Sequence, residues 1–206
     1  MTENGRYIIH GAGGNTRPII DLLLRKTDAG NIIVKDAPKG TGENIFGVPV
    51  KSEFSFLQSD THIVSFGDNQ HRAEVLNSLR TSGVMIGYVV SEDAKISTLA
   101  TISRLNTMIY SLAFIGPGAQ IGDNNLINTA CIVEHDVITG KHCHIAPGSC
   151  VCGRVVLGDF VFIGAGAVVK DYIQICSNVT IGAGSVVVKN ITEPGIYAGV
   201  PARKIR

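Results

Sequence analysis

Two hydrophobic rhythms divide this chain. Over roughly the first 90 residues, short apolar runs alternate with amphipathic stretches. RYIIH at 6–10 runs into Gly11, Ala12, Gly13 and Gly14, and behind them Ile19, Ile20, Leu22, Leu23 and Leu24 carry helical spacing. That order predicts strand, glycine turn, helix. Further strands are predicted at 32–34, ending at Asp36, at 62–66, ending at Gly67, and at 84–90, with a helix over about 69–80. Such alternation builds a small parallel sheet with helices on its faces, and a sheet of this kind takes ligands at the carboxyl ends of its strands.

Beyond Ile109 the rhythm becomes strictly six. The positions are Ile109, Ile115, Ile121, Ile127, Val133, Thr139, Ile145, Val151, Leu157, Ile163, Val169, Ile175, Ile181 and Val187, and only Thr139 among them is not aliphatic. Small or apolar residues such as Ala119, Cys131, Val137, Cys143, Val155 and Ala167 follow four places later, and glycine comes directly after these six-residue positions at 116, 122, 140, 158, 164 and 182. Neither a 3.6-residue nor a two-residue period produces this. A three-sided coil does: one aliphatic side chain points inward on each side, a tight turn makes each corner, and stacked coils bury a continuous apolar column. By this arithmetic residues 109–190 make about four to five coils. Ile96 and Ile102 are out of phase by one, which predicts a bulge or a loosely formed first coil. The domain boundary is placed at 90/91.

Composition sharpens this picture. Glycine, at 24 of 206 residues, exceeds the usual share of about 7%, as repeated tight turns demand. The formal net charge of +1, shared evenly between the two halves, leaves no electrostatic footprint for nucleic acid. No run reaches the roughly 20 apolar residues of a membrane helix and none opens the chain, so a cytoplasmic protein without a membrane span is expected. The odd number of cysteines, all inside the repeat (Cys131, Cys143, Cys150, Cys152, Cys176), argues against a secreted disulfide framework.

IGPGAQIGDN, IAPGSCVCGRVVLGDFVFIGAGAVV, VTIGAGSVVVKN and the closing PGIYAGVPARKI resemble the hexapeptide-repeat acyltransferases over about the last 110 residues. With IIHGAGGN, VKDAP, FGDNQHRAE and INTACIVEHDVITGKHCHIAPG, the whole chain looks like the bacterial sugar O- and N-acyltransferases of the PglD and NeuD types, with the UDP-4-amino-sugar N-acetyltransferases as the nearer of the two. The resemblance implies a nucleotide-sugar-binding, Rossmann-like α/β domain (1–90) followed by a left-handed parallel β-helix (91–206) that binds acyl-CoA and carries catalysis. It also implies a homotrimer with its active sites between subunits.

Acyl transfer needs a base for the nucleophile's proton and donors for the developing oxyanion. The resemblance makes His135 of the Glu134-His135-Asp136 motif the base. Asp136 would orient it, with Glu134 in reserve, and the Gly153 amide would be the oxyanion donor. Thr139, just after the motif, marks a departure from the repeat that could re-aim the histidine. Asn128 and His144 are expected to line the acceptor or acyl-CoA site. Gly164, Ala165, Ala183 and Gly184 are small enough to let a pantetheine arm lie along the coils, and Arg203 and Lys204, behind Pro201, could reach CoA phosphates. His142 and His144 beside His135 raise a metal-site alternative, but no metal is expected.

In the first half, Gly11, Gly13 and Gly14 at a strand-to-helix junction suit an anion facing helix amides. The last glycine of a dinucleotide fingerprint would fall at Thr16, so a nucleotide sugar fits better than NAD. Asp36, at the end of the second strand, is a candidate base or ribose contact, and Asn69 and Arg72, at the start of the helix after the third, are further substrate-binding candidates. Asn15 stands where many relatives of the resembling type carry histidine, which leaves the acceptor sugar open. The expected activity is transfer of an acetyl group from acetyl-CoA to the 4-amino group of a UDP-linked amino sugar. Sialic-acid O-acetylation, a non-catalytic nucleotide-sugar sensor and a histidine-metal hydratase are the alternatives.

Overall fold

The computed structural model describes residues 5–37 and 43–206, and the chain divides into two compact units, Met1–Val89 and Val90–Arg206.

In the first unit, β1 (Tyr7–His10), α1 (Thr16–Leu24), β2 (Ile32–Lys35), β3 (Asn44–Ile45), β4 (Val48–Lys51), β5 (Thr61–Val64), α2 (Asn69–Thr81) and β6 (Met85–Ile86) follow in chain order. The sheet order is β3-β4-β2-β1-β5-β6, parallel throughout except for the β3–β4 hairpin. The chain therefore runs outward from β1 to β4 and returns to the other side of β1 as β5. That reversal leaves the carboxyl ends of β1 and β5 flanking a crevice of the kind that holds ligands. Ile8, Ile9, Ile63 and Val64 are fully buried, as are Ile19 and Ile20 of α1. Asp68 caps α2 by accepting from the His71 N–H at 2.7 Å. Two features escape the hydrophobic pattern. Strand β4 contains Pro49, which reads against a strand, and the apolar run 84–90 splits between β6 and a separate strand at Val89–Val90.

The second unit is a left-handed parallel β-helix. Its three sides are sheets of eight, six and five short strands, and each coil pairs with the next eighteen residues on, as in Met108↔Leu126↔His144↔Phe162 or Phe114↔Ile132↔Cys150↔Val168. All fourteen six-residue positions from Ile109 to Val187 are buried, and the small residues four places later fill the rest of the column. The first coil is formed rather than loose: Lys95–Ile96 and Thr101–Ile102 pair in register with Phe114–Ile115 and Gln120–Ile121. The one-residue offset lies in the corner after Ile102, the corner that contains Asn106.

The corners differ from the expectation that glycine would make them. Every sixth residue from Asn106 to Gly184 has a left-handed backbone, with φ between 52° and 73°, and only Gly118, Gly148, Gly166 and Gly184 of that series are glycines. The glycines directly after the aliphatic positions serve packing instead. A Cβ on Gly164 would stand 2.6 Å from the Ala183 nitrogen, and one on Gly158 would stand 2.6 Å from that of Ser177, so successive coils touch backbone to backbone there.

Candidate active site

His135 and Asp136 occupy the corner between the second and third sides of the β-helix, where the left-handed residue is Asp136 itself, at φ 58°. The turn throws both side chains outward, each about half exposed. His135 Nδ1 meets Asp136 Oδ2 at 3.0 Å. With the carboxylate as acceptor, Nδ1 carries the proton and Nε2 presents a lone pair, and Nε2 has no hydrogen-bond partner among the described residues. Glu134 turns back to accept from the His135 N–H at 3.2 Å, which leaves Asp136 as the carboxylate on the imidazole.

One coil on, Gly153 lies against the ring. A Cβ built there would stand 2.5 Å from Nε2 and 2.7 Å from Cε1, so only glycine leaves room for the imidazole. The Arg154 N–H donates to the His135 carbonyl at 3.0 Å and fixes the two corners in register. The structure thus brings His135, Asp136 and Gly153 together.

Thr139 departs from the repeat without disturbing its register. At this rung the Gly122 N–H donates to Thr139 Oγ1 (3.1 Å), where neighbouring rungs use a strand carbonyl, and the buried Asn125 side chain donates to the same hydroxyl (2.5 Å). The hydroxyl serves a buried polar knot at the next corner, and that accounts for the missing aliphatic without any re-aiming of His135.

Asn128 lies on a different edge, between the first and second sides. Its side-chain nitrogen is 3.2 Å from His144 Nε2, and both residues are buried. Farther along this edge the Gly184 N–H donates to the Ala165 carbonyl at 2.8 Å, and Gly164 abuts Ala183, so these four residues form a run of bare backbone, exposed at Ala165, Ala183 and Gly184. His142 stacks on Phe160 and lies 2.7 Å from Asn124 Nδ2. No group of three or more His, Cys, Asp or Glu able to hold a metal is found among the described residues. Lys204 pairs with Glu193 at 2.9 Å, while Arg203 donates to the Ala202 carbonyl.

At the strand ends of the first unit, Arg72 and Asp36 both hydrogen-bond within the chain. The Arg72 side chain is fully buried and donates to the Phe66 and Gly67 carbonyls (3.0 and 3.3 Å) and to Asn69 Oδ1 (2.8 Å). It builds the loop after β5, and Asn69 with it, from within. Asp36 accepts from the Ala12 and Ala37 N–H groups, each at 2.7 Å, and ties the end of β2 to the glycine turn. Gly13 and Gly14 are exposed, with open space where a Cβ would stand, and the Asn15 side chain reaches over Gly67. The crevice floor is closed by Thr16 and Ser65, whose hydroxyls lie 2.8 Å apart and bond the carbonyls of Gly11 and His10.

The repeat is matched by a family model, bacterial transferase hexapeptide (six repeats), over residues 154–189. That stretch carries the hexapeptide repeat of this family. The acetyltransferase domain of PglB from Neisseria gonorrhoeae, solved with acetyl coenzyme A, is similar along nearly its full length: 26% identity, 98% of this chain and 100% of that one, TM-score 0.87. PerB from Caulobacter crescentus, solved with CoA and GDP-perosamine, shares 28% identity over 97% of each chain at a TM-score of 0.85. A probable UDP-3-O-acylglucosamine N-acyltransferase from Arabidopsis thaliana is 40% identical over 82 residues, 40% of this chain and 27% of its own. The chain thus aligns with only about a quarter of the length of the curated relatives it matches. None of its described helices is long and apolar enough to cross a membrane.

Proposed function

We propose that this protein is a cytoplasmic, homotrimeric acetyltransferase that moves an acetyl group from acetyl-CoA to the 4-amino group of a nucleotide-linked amino sugar. The observation that carries this reading is the state of His135: Nδ1 is held by Asp136, while Nε2 is unpartnered and pressed against a glycine. Similarity to an acetyltransferase domain solved with acetyl coenzyme A and to a protein solved with CoA and GDP-perosamine supports the substrate classes. The Rossmann-like first unit holds the nucleotide at the ends of β1 and β5, with Gly13, Gly14 and Asn15 facing it. UDP is the carrier expected from the sequence.

Acetyl-CoA supplies an activated thioester. His135 Nε2 takes the proton of the attacking amine and returns it to the departing thiolate, so the base is regenerated and CoA leaves as the free thiol. The Gly153 N–H, which has no partner among the described residues, faces the developing oxyanion. Gly164, Ala165, Ala183 and Gly184 bear the pantetheine arm, with Asn128 and His144 lining the site between subunits. Arg203 is the nearer candidate for a CoA phosphate, because Lys204 already has Glu193.

The test is thiol release from acetyl-CoA with UDP- and GDP-linked 4-amino sugars, sialic acid and UDP-GlcNAc as acceptors, against His135→Ala. Release with an amino-sugar nucleotide that His135→Ala abolishes is expected. Release with sialic acid alone would move the reaction to a hydroxyl. Silence with every acceptor, or turnover that survives His135→Ala, would overturn the proposal.

A further inference from the structure

The carboxylate that holds His135 is itself only half buried and belongs to the very next residue. An exposed aspartate next in sequence to a histidine has several rotamers and a solvent shell to compete for it, and an isolated exposed pair of this kind is worth little by itself. Something must restrict it, and the same edge of the β-helix provides that. Asp136, Arg154 and Tyr172 are the left-handed corner residues of three successive coils, eighteen residues apart, so their side chains leave the edge one above another. Arg154 Nε lies 3.6 Å from Asp136 Oδ2, the same oxygen that meets His135 Nδ1. Arg154 Nη1 donates to the Tyr172 hydroxyl, and the guanidinium carbon stands 5.2 Å from the centre of the Tyr172 ring. On the opposite side the carboxylate rests on Gly118, where a Cβ would come within 2.5 Å of Oδ1.

From these contacts we infer that Arg154, clamped by Tyr172, is the positioning residue of the acetyl-transfer site, fixing Asp136 so that His135 keeps its proton on Nδ1 and its lone pair on Nε2. This rests on His135 being the base. The arrangement has a direction. Tyr172 immobilises the guanidinium by stacking and by its hydroxyl. Arg154 then supplies a charge that selects one carboxylate rotamer, and the carboxylate selects one imidazole tautomer. Arg154 touches no reacting atom, so its loss should lower turnover rather than substrate binding. Partners that orient a functional group through one intermediary are typically worth about 10- to 100-fold. A guanidinium at this distance from a half-exposed carboxylate belongs near the lower figure. A lysine at 154 keeps the charge but loses both the stacking and the fork.

Two readouts separate this inference from the proposed function. In the acetyl-transfer assay, Arg154→Gln should lose about tenfold in kcat with the KM for acetyl-CoA and acceptor held. Arg154→Lys should recover part of that loss, and Tyr172→Phe, which keeps the ring but not the hydroxyl, should fall two- to threefold. Independently of any acceptor, the imidazole nitrogen resonances of histidine-labelled protein above pH 8, assigned with His135→Ala, should show His135 protonated at Nδ1 alone. In Arg154→Gln the two tautomers should mix. An Arg154→Gln protein that melts with the wild type and keeps both its kcat and its single tautomer overturns the inference, even where His135→Ala is inactive. So does a loss confined to KM, which would make Arg154 a binding residue. If Arg154→Gln does not fold, the tautomer and kcat of Tyr172→Phe decide on the same terms. Turnover that survives His135→Ala would sink the proposed function instead, and the tautomer measurement would still report on the clamp.

Discussion

Gly153 and the imidazole of His135 are stacked so closely that a methyl group on Gly153 would stand 2.5 Å from Nε2. The glycine has no left-handed backbone to excuse its choice, so alanine is compatible with the chain at this position and incompatible only with the ring. Gly153→Ala should therefore fold normally and displace His135 from its place beside Asp136. Misplacing a catalytic group by about 1 Å can cost around a hundredfold in rate. A loss of about that size in kcat, with an unchanged melting temperature, is the expected outcome in the thiol-release assay. Full activity would mean that the ring need not stand where the structure puts it.

Thr139 makes a second case in which one side chain answers for its neighbours. Valine fits the apolar rhythm of the repeat better, but it would strand the Gly122 N–H and one donor of Asn125 inside the β-helix. An unmade hydrogen bond at a buried group costs about 1–3 kcal/mol. Thr139→Val should lower stability by about 2 kcal/mol in denaturant titration, whereas Thr139→Ser should keep most of it. A valine variant as stable as the wild type would show that the knot contributes nothing.

How much of this was legible beforehand depends on which physical quantity the sequence encodes directly. Burial is such a quantity: the six-residue rhythm located every inward position from Ile109 to Val187, Thr139 included. Backbone conformation is not. Leu112, Phe160 and Tyr172 are left-handed because the coil above and below holds them there, at about 1 kcal/mol each, and nothing in those side chains announces it. The partners of charged residues are not encoded directly either. Arg72 and Asp36 lie near the strand ends, as the pattern indicated, yet their partners are loop carbonyls and backbone amides, which only the fold brings within reach. The candidate base, His135, stands out in the sequence by its EHD motif. Arg154 and Tyr172 do not, since eighteen-residue spacing makes neighbours only after the coils stack.

The two classes of glycine can be told apart by substitution. A Cβ on Gly158 would drive into the Ser177 backbone, and overpacking of this kind costs up to about 3 kcal/mol. Gly166, with φ 65° and open space around it, should accept asparagine within about 0.5 kcal/mol. For a chain of this length the first change lowers the melting temperature by about 8 °C and the second by about 1–2 °C. Equal effects would mean that coil contact and corner geometry are not separate constraints.

Acid should weaken the first unit through a pair of histidines unrelated to the candidate base. His10 Nε2 lies 2.9 Å from His62 Nδ1, both rings are buried, and His62 Nε2 has no partner among the described residues. A lone pair is cheaper to leave unsatisfied than an N–H, so the favoured arrangement is His62 Nδ1–H donating to His10, with both rings neutral. Burial, with the nearby His62 and Lys35 charges, pushes His10 down to about 3, and burial also lowers His62, with Lys35 adding and Asp60 opposing. Since the folded-state values lie below the ordinary 6.5, the unfolded chain binds protons first as pH falls. Stability is full above about pH 6.5 and declines from there toward pH 3. By pH 4.5 the His10 contribution alone should have cost about 3 kcal/mol. Burial alone would raise the Asp60 carboxyl, but hydrogen bonds from Arg6 and the Leu57 N–H leave it below its usual range, so it responds only at still lower pH. Replacing both histidines with leucine removes the protonation sites together and leaves no orphaned nitrogen. Denaturant titrations at pH 7.0 and 4.5 should show the wild type losing stability and the double variant nearly level. A double variant that declines as steeply as the wild type would assign the acid sensitivity to other groups.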